Sequence, residues 1–526
     1  MFEKFKIIKK LLKIFFIDTN INKKTKKNLI LLEFYNYYPS IIGFAYFLQI
    51  LKQINKADAV CYKILPTNLL KKLYTYFFFH FSFIKKLYQA IGVNEFFFLK
   101  NNIPKKKLEK EYLVMINKIK TKHDVVNLKC LGVDVGQEIY DEYLRTYNKT
   151  ELDIYDKKFK KLLLRAITNV FYWKCYFSKN NISAIIITHT NYFIALPGRV
   201  ASYFKIPVYT VGAQNFYLIK KNSFTKEACC KKFPYGFKKI TENKSAFLKL
   251  AKAELLSRFD GIKDSKALQD QEVNQILFDK KISYSKIIND TKKINILVAA
   301  HCFSDGVHSF GKFFYTDFHD WLNFLGKVSH NPKYQFYIKI HPAEYDLNYE
   351  HFLKFQDKFN FIILPKKLIA SHMLKEKFDY VLTAYGSVGH EYPLFNVPVI
   401  NASNNGPHSG YNFNINPKNR MHYEKIIINL KKNKFKINST IKKKIFEFYF
   451  MKYLSEYSLL DGANLCMKKL KHEYNSFKVI KYFLDTFNMK THKQKLVDVE
   501  NFIKNKSLRP IVDNRKNISR LLTYLN

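Results

Sequence analysis

NLILLEFYNYYPSIIGFAYFLQILKQINKADAVCYKI, residues 28–64, decides the fold class. Residues 28–34 form an apolar run of strand length and read as a buried strand. Pro39-Ser40 opens a helix of about fifteen residues, and Ala59 to Ile64 read as a second strand. The stretch is a β-α-β unit, the building block of a doubly wound parallel sheet.

The same rhythm returns further along the chain. NISAIIITHTNY (181–192) is strand then loop, Gly198 to Phe204 is helical, and IPVYTVG (206–212) is the next strand. Residues 205–285 lose the pattern and turn lysine-rich, which suggests a connection. The pattern restarts with a strand at 294–300 and a helix around Asp317 to Val328. Strands YQFYIKI (334–340), FIILP (361–365) and DYVLTAY (379–385) follow, then a helix at 387–395 and strand VPVINA (397–402). The expected fold class is α/β, with two tandem Rossmann-like doubly wound domains at 28–285 and 290–430. Residues 431–526 read as lysine-rich helices packing back on the first domain. At 526 residues the chain exceeds one core, since single cores stop growing near roughly 250–300 residues.

Hydrophobic residues at 47% and aromatics at 17% exclude a disordered chain. The formal charge of +46 rests almost wholly on lysine, with eight arginines, a usage typical of an AT-rich genome. A basic surface draws nucleotides, anionic lipid headgroups and nucleic acid. Nucleic acid is the weaker partner, because zinc-finger spacing, RNP-like aromatics and an arginine-rich arm are all missing from the sequence. Seven scattered cysteines without CxxC spacing fit a reduced, cytoplasmic protein.

Residues 1–27 form a basic amphipathic leader and a charged hinge at Lys23 to Lys27. Phe2, Phe5, Ile8, Leu12 and Phe15/Phe16 fall near helical spacing with lysines between them. Two readings stay open: a helix lying in an anionic membrane interface, or one docked on the protein body. The segment is too short and too charged to span a bilayer.

In a parallel sheet, ligands bind beyond the carboxyl ends of the strands. Four polar clusters fall at such places. Lys339 and His341 close strand 337–340, where a point charge and a directional donor suit phosphate or nucleotide, or simply cap a strand. Gly386 and Ser387 follow the strand ending at Thr383; Ser387 is a good N-cap, and helix starts bind phosphate. Glu391 lies one turn on, as a ribose contact or a solvated carboxylate. His301, Asp305 and His308 follow the 294–300 strand in a loop with Gly306 and Gly311. They offer either a divalent-metal site or a hydrogen-bonded loop carrying a base, with Asp317, Asp320 and Trp321 starting the helix that closes it. The first half adds Asp134, Asp141 and Arg145 in a Gly-rich turn, then His189, Asn191, Arg199 and Gln214, each structural or part of a cleft rim.

The set GVDVGQEIYDEYLR, THTNYFIALPGRVASYFKIPVY, AAHCFSDGVHSFGKFFYTDFHDWL, KIHPAEY and YGSVGHEYPLFNVPVINASNNGPH resembles bacterial surface-carbohydrate and capsule polysaccharide biosynthesis proteins. These are similar to glycosyltransferases of the two-Rossmann GT-B type, including capsule Kdo-transferases and polysialyltransferases. The resemblance spans about residues 28–425. It implies a nucleotide-sugar donor held by the second half and a polysaccharide or glycolipid acceptor held by the first, on the inner face of the cell membrane. Lys339 and His341 would then face the donor phosphates, Gly386 and Ser387 the phosphate-binding helix start, and Glu391 the ribose. Arg145, His189, Arg199 and His308 would line the acceptor side, and Asp305, then His301 and Asp141, are the candidate bases. The cationic groups would stabilise the leaving phosphate, so a metal at His301, Asp305 and His308 is not required. Gly386-Ser387 replaces the usual serine pair of the CMP-sugar enzymes, which leaves CMP, UDP and GDP open. The alternatives are a nucleotide-sugar epimerase or hydrolase of the same fold, and a non-enzymatic basic component of an export complex.

Overall fold

The computed structural model describes residues 2–15, 28–64, 69–99, 103–240, 243–259, 286–341, 344, 347–366, 368, 370–432 and 436–510. Phe16, the hinge at 23–27, the connection from 260 to 285, Pro342 and residues 511–526 lie outside the described residues.

The first sheet holds β1 (Asn28–Glu33), β2 (Ala57–Lys63), β3 (Val93–Phe98), β6 (Asn181–Ile187), β7 (Val208–Val211) and β8 (Phe216–Ile219), while β4 (Lys129–Cys130) and β5 (Val133–Asp134) form a separate small hairpin. Its order is β3-β2-β1-β6-β7-β8, parallel except for the antiparallel pairing of β7 with β8. The second sheet holds β9 (Ile294–Ala299), β10 (Tyr334–Lys339), β11 (Phe361–Ile363), β12 (Tyr380–Thr383) and β13 (Val399–Asn401), ordered β11-β10-β9-β12-β13 and wholly parallel. Each sheet reverses direction once, between β1 and β6 and between β9 and β12. These are the switch points where a doubly wound sheet opens a crevice. The fold is the expected α/β class, two tandem Rossmann-like doubly wound units with extra C-terminal helices.

The strands are apolar because helices cover both faces. Along β9, Ile296 and Val298 join the main core, while Leu297 turns to the other face and packs in a second cluster with Tyr337, Val381 and Val399. The main core runs without a break through both units. In the first unit, helix Tyr38–Asn55 lies flat on the β7 end: a Cβ on Gly43 would stand 2.3 Å from the Gly212 carbonyl oxygen.

The C-terminal helices Phe477–Asp485 and Met489–Lys504 return to this helix. Phe502 packs at 4.8 Å from the Phe216 ring and 6.0 Å from Phe47. The Leu459 amide donates to the Ala213 carbonyl (2.7 Å), and the Leu218 amide on edge strand β8 donates to the Leu508 carbonyl (3.1 Å).

The leader is a helix, Phe2–Phe15, docked on the protein body. The face it buries is Ile7, Leu11 and Phe15, and Phe2, Phe5 and Leu12 stay exposed. The expected stripe differs because Phe15 finds a niche between helices, its ring 5.3 Å from Tyr46 and 5.5 Å from His492.

Candidate active site

The second unit's crevice opens where β9 and β12 end. His301, two residues past β9, turns its ring onto the end of β12, where Nε2 accepts the Ala384 (3.3 Å) and Tyr385 (3.2 Å) amides. Thr383 Oγ1 lies 3.1 Å from the same nitrogen and accepts the Gly386 amide at 3.0 Å. With Nε2 accepting, the ring proton sits on Nδ1. Burial, with His341 close by, pushes the His301 pKa down to about 3, so the ring is neutral. It stacks on Phe318 at 4.9 Å. A Cβ on Gly386 would meet Thr383 Oγ1 at 2.7 Å, so glycine is needed for this tight turn.

The helix that follows is one turn, Val388–Glu391, continued as a 3-10 turn to Phe395. Ser387 stands at its start with helical angles (φ −59°, ψ −25°), and its hydroxyl makes no cap bond. Side-chain capping needs an extended backbone, so the serine does not cap as expected, and Thr383 organises the turn instead. Among the described residues, the Ser387 and Val388 amides carry no hydrogen bond. The pair forms a small anion-receptive lip.

Lys339 ends β10, buried, with Nζ donating to the Pro365 (2.9 Å) and Lys366 (3.1 Å) carbonyls. Burial pushes its pKa down to about 8. His341 is exposed beside it, and Glu391 is buried.

The first unit's crevice is built around Glu33, the last residue of β1. Its Oε2 accepts the Thr188 amide (3.1 Å) and hydroxyl (2.7 Å), and burial raises its pKa. Thr188 Oγ1 lies 2.9 Å from His189 Nδ1. Because the hydroxyl proton is committed to Glu33, Nδ1–H donates and Nε2 is left as the acceptor nitrogen. Burial, then Lys226 and Arg145, push the His189 pKa down to about 4. The ring packs on Tyr35 at 5.6 Å.

A loop from the second unit, 301–317, is stapled to helix Gly136–Tyr147 of the first. Asp141 accepts from His308 with both oxygens, from Nδ1 at 2.6 Å and from the amide at 3.1 Å, and both residues are buried. The Tyr140 hydroxyl donates to Asp317. Asn191 Nδ2 reaches Ser309 Oγ at 3.4 Å. Gly306 turns the loop with φ +60°, where a Cβ would meet Ser309 Oγ at 2.2 Å.

That turn carries Asp305 out into the open, its side chain 66% exposed. Oδ1 accepts from Arg145 Nη1 (3.1 Å) and from the Tyr192 hydroxyl (2.6 Å), and the guanidinium lies over the Tyr192 ring at 4.5 Å. Tyr192 holds a left-handed φ of 59°, a conformation costing about 1–3 kcal/mol that persists where surrounding structure imposes it.

The structure thus brings Arg145, His189 and Asp305 to one place, where His189 feels the charges of both partners and Arg145 feels that of Asp305. Lys339, His341, His301, Gly386 and Ser387 gather at the ends of β9, β10 and β12. His301, Asp305 and His308 each turn to different partners and do not form one ligand set. Among the described residues the grouping with metal-like spacing is Glu151, His319 and Asp320. The Lys122 ammonium occupies that place, 2.8 Å from Glu151 and 2.7 Å from Asp320. Arg199 is paired with buried Glu138 at 2.6 Å, and lines a small open hollow with Asp134 and Lys221.

Glu33, Thr188, Tyr192 and Thr383 were not singled out from sequence. Each lies at a strand end or within a few residues of one, a position the sequence reading already treats as ligand-facing.

No protein-family model matches the chain, and no curated protein matches it. Among solved structures, it is similar to the KpsC beta Kdo 2,4 transferase of Thermosulfurimonas dismutans, with 11% identity over 51% of this chain and 79% of that one, at a TM-score of 0.30. It is also similar to the UDP-GlcNAc 2-epimerase of Methanocaldococcus jannaschii, with 13% identity over 80% and 98% of the two chains and a TM-score of 0.23. For S. aureus MnaA the identity is 11% over 86% and 97%, and the TM-score is 0.21.

Proposed function

We propose that the chain is a glycosyltransferase that moves a sugar from a nucleotide-sugar donor to a surface polysaccharide or glycolipid acceptor. The observation that supports it best is Asp305: an exposed carboxylate from the second unit, fixed by Arg145 and Tyr192 of the first, between two switch-point crevices.

In this reading the acceptor hydroxyl gives its proton to Asp305 as its oxygen attacks the anomeric carbon. The bond from that carbon to the nucleotide phosphate breaks, and the electron pair leaves with the phosphate. The Ser387 and Val388 amides, with Lys339 and His341, hold the departing charge. His301 and Asp141 act as positioning residues, the first holding the 383–386 turn and the second holding the loop through His308. Glu391 would meet a ribose only after the 388–391 turn shifts, because it is buried. Apposition of the two units keeps water from the donor.

The test combines donor binding with product analysis. One of CMP-, UDP- or GDP-sugars is expected to raise the melting temperature, since a ligand of the native state alone must do so. With acceptor supplied, Asp305→Asn lowers transfer by about 10²–10⁴-fold. Donor binding and melting temperature stay unchanged, because an exposed ion pair contributes little to stability. Free sugar or an epimerised nucleotide sugar as the product would assign hydrolase or epimerase instead.

A further inference from the structure

Helix Leu69–Phe81, LLKKLYTYFFFHF, follows β2 and is the least covered apolar element of the described chain. Seven of its large side chains are between 46% and 77% exposed, Leu70, Leu73, Tyr74, Phe77 and Phe81 among them. At 100° per residue they span roughly 160° of one continuous face, and Lys71 and Lys72 fall on its two borders. The opposite face is anchored: Phe79 is fully buried, its ring 4.7 Å from Phe34 and 4.3 Å from Phe98. The helix is therefore held firmly while presenting rings outward, where monomeric proteins rarely leave a contiguous patch of this kind.

The neighbouring surface continues the theme. Helix Phe2–Phe15 packs on helix Phe83–Ala90, and Lys4 Nζ lies 5.3 Å from the Phe83 ring, two residues beyond Phe81. Beside that corner Phe2 and Phe5 are exposed at 72% and 57%, with Lys6 and Lys9 over their rings at 4.6 and 4.8 Å.

We propose that helix Leu69–Phe81, extended by the start of the first helix, docks in the plane of an anionic membrane surface. The aromatic and leucine face enters the headgroup and acyl boundary, and the bordering lysines reach the phosphates. Charge complementarity selects this occupant, since lysines surround the patch and the chain carries +46 overall. Two such basic surfaces would repel one another across a copy-to-copy contact. Among the described residues no helix is long and apolar enough to cross a membrane.

One consequence rests on the transferase reading. Phe34, on which the helix sits, directly follows Glu33 at the first unit's crevice, so a lipid-anchored acceptor would emerge beside its site.

The experiment is co-sedimentation of the full chain with phosphatidylglycerol-containing and with pure phosphatidylcholine vesicles, without substrate. Binding to the anionic vesicles is expected, weakened at least about tenfold by Leu73→Ser with Phe77→Ser at an unchanged melting temperature. Binding that the double variant leaves intact, or no binding by the parent chain, overturns the proposal. So does a concentration-dependent dimer that the variant abolishes, which would make the face a contact between copies. Nucleotide-sugar binding in vesicle-free solution reads the transferase assignment separately, so either can fail alone.

Discussion

Lys339 shows how one residue carries a testable charge. Burial lowers its pKa to about 8, so below that pH the ammonium is present and above it the charge is lost. If it faces the donor phosphate, affinity for the nucleotide sugar holds steady on the acid side and declines as pH rises through about 8. Lys339→Met lowers affinity about 10- to 100-fold and flattens that profile, which calorimetry across pH measures. A variant that kept the parent's pH profile would remove Lys339 from the donor site. At this scale the sequence marks candidates where a charged or polar residue stands at or beyond the end of an apolar run, as with Lys339, His341, Asp305 and Ser387, and it does not tell how each is bonded: Ser387 reads as an N-cap and makes no cap bond. Glu33 closes such a run and was absorbed into the strand. Thr188 and Thr383 are ordinary strand-end residues until β6 lies beside β1 and β12 beside β9. That adjacency is non-local, and periodicity carries no record of it.

At the scale of elements, the unit read from residues 28–64 matches β1, helix Tyr38–Asn55 and β2, because burial on both faces leaves a near-continuous apolar pattern. Strand β3 was missed since its exposed Asn94 and Glu95 break the run, and β8 since it is short and antiparallel. The leader's helical period was legible, but its buried face was not: Ile7, Leu11 and Phe15 compete with an equally apolar stripe, and a partner 477 residues away in sequence decides between them. Helix Tyr38–Asn55 also yields a prediction. Gly43→Ala places a methyl 2.3 Å from the Gly212 carbonyl oxygen, backbone that cannot swing aside. The expected cost is about 1–3 kcal/mol, read as a lower calorimetric melting temperature. An unchanged melting temperature would mean the helix does not lie on that turn.

Across the whole molecule, the C-terminal helices complete the first unit's core. Phe502 packs against the touching pair Phe47 and Phe216, and His492 Nδ1 lies 3.1 Å from the Tyr46 hydroxyl. Each large apolar side chain uncovered costs about 1.5–3 kcal/mol, against a total stability of about 5–15 kcal/mol. A chain ending at Asn438 is therefore expected to lose its cooperative thermal transition and bind a hydrophobic dye, and a sharp transition would show that the helices are merely appended. The two halves were legible as two returns of one rhythm. Their apposition was not, because it rests on pairs such as Asp141 with His308, 167 positions apart.

Asp305 belongs to one unit, and both groups that fix it belong to the other. The three-residue constellation consequently exists only while the halves are together, and parting them dissolves it at once. Under the proposed transferase reading, such a split assignment would work as an AND gate: neither half would hold a poised base alone, so idle turnover would be suppressed by geometry with no separate inhibitor.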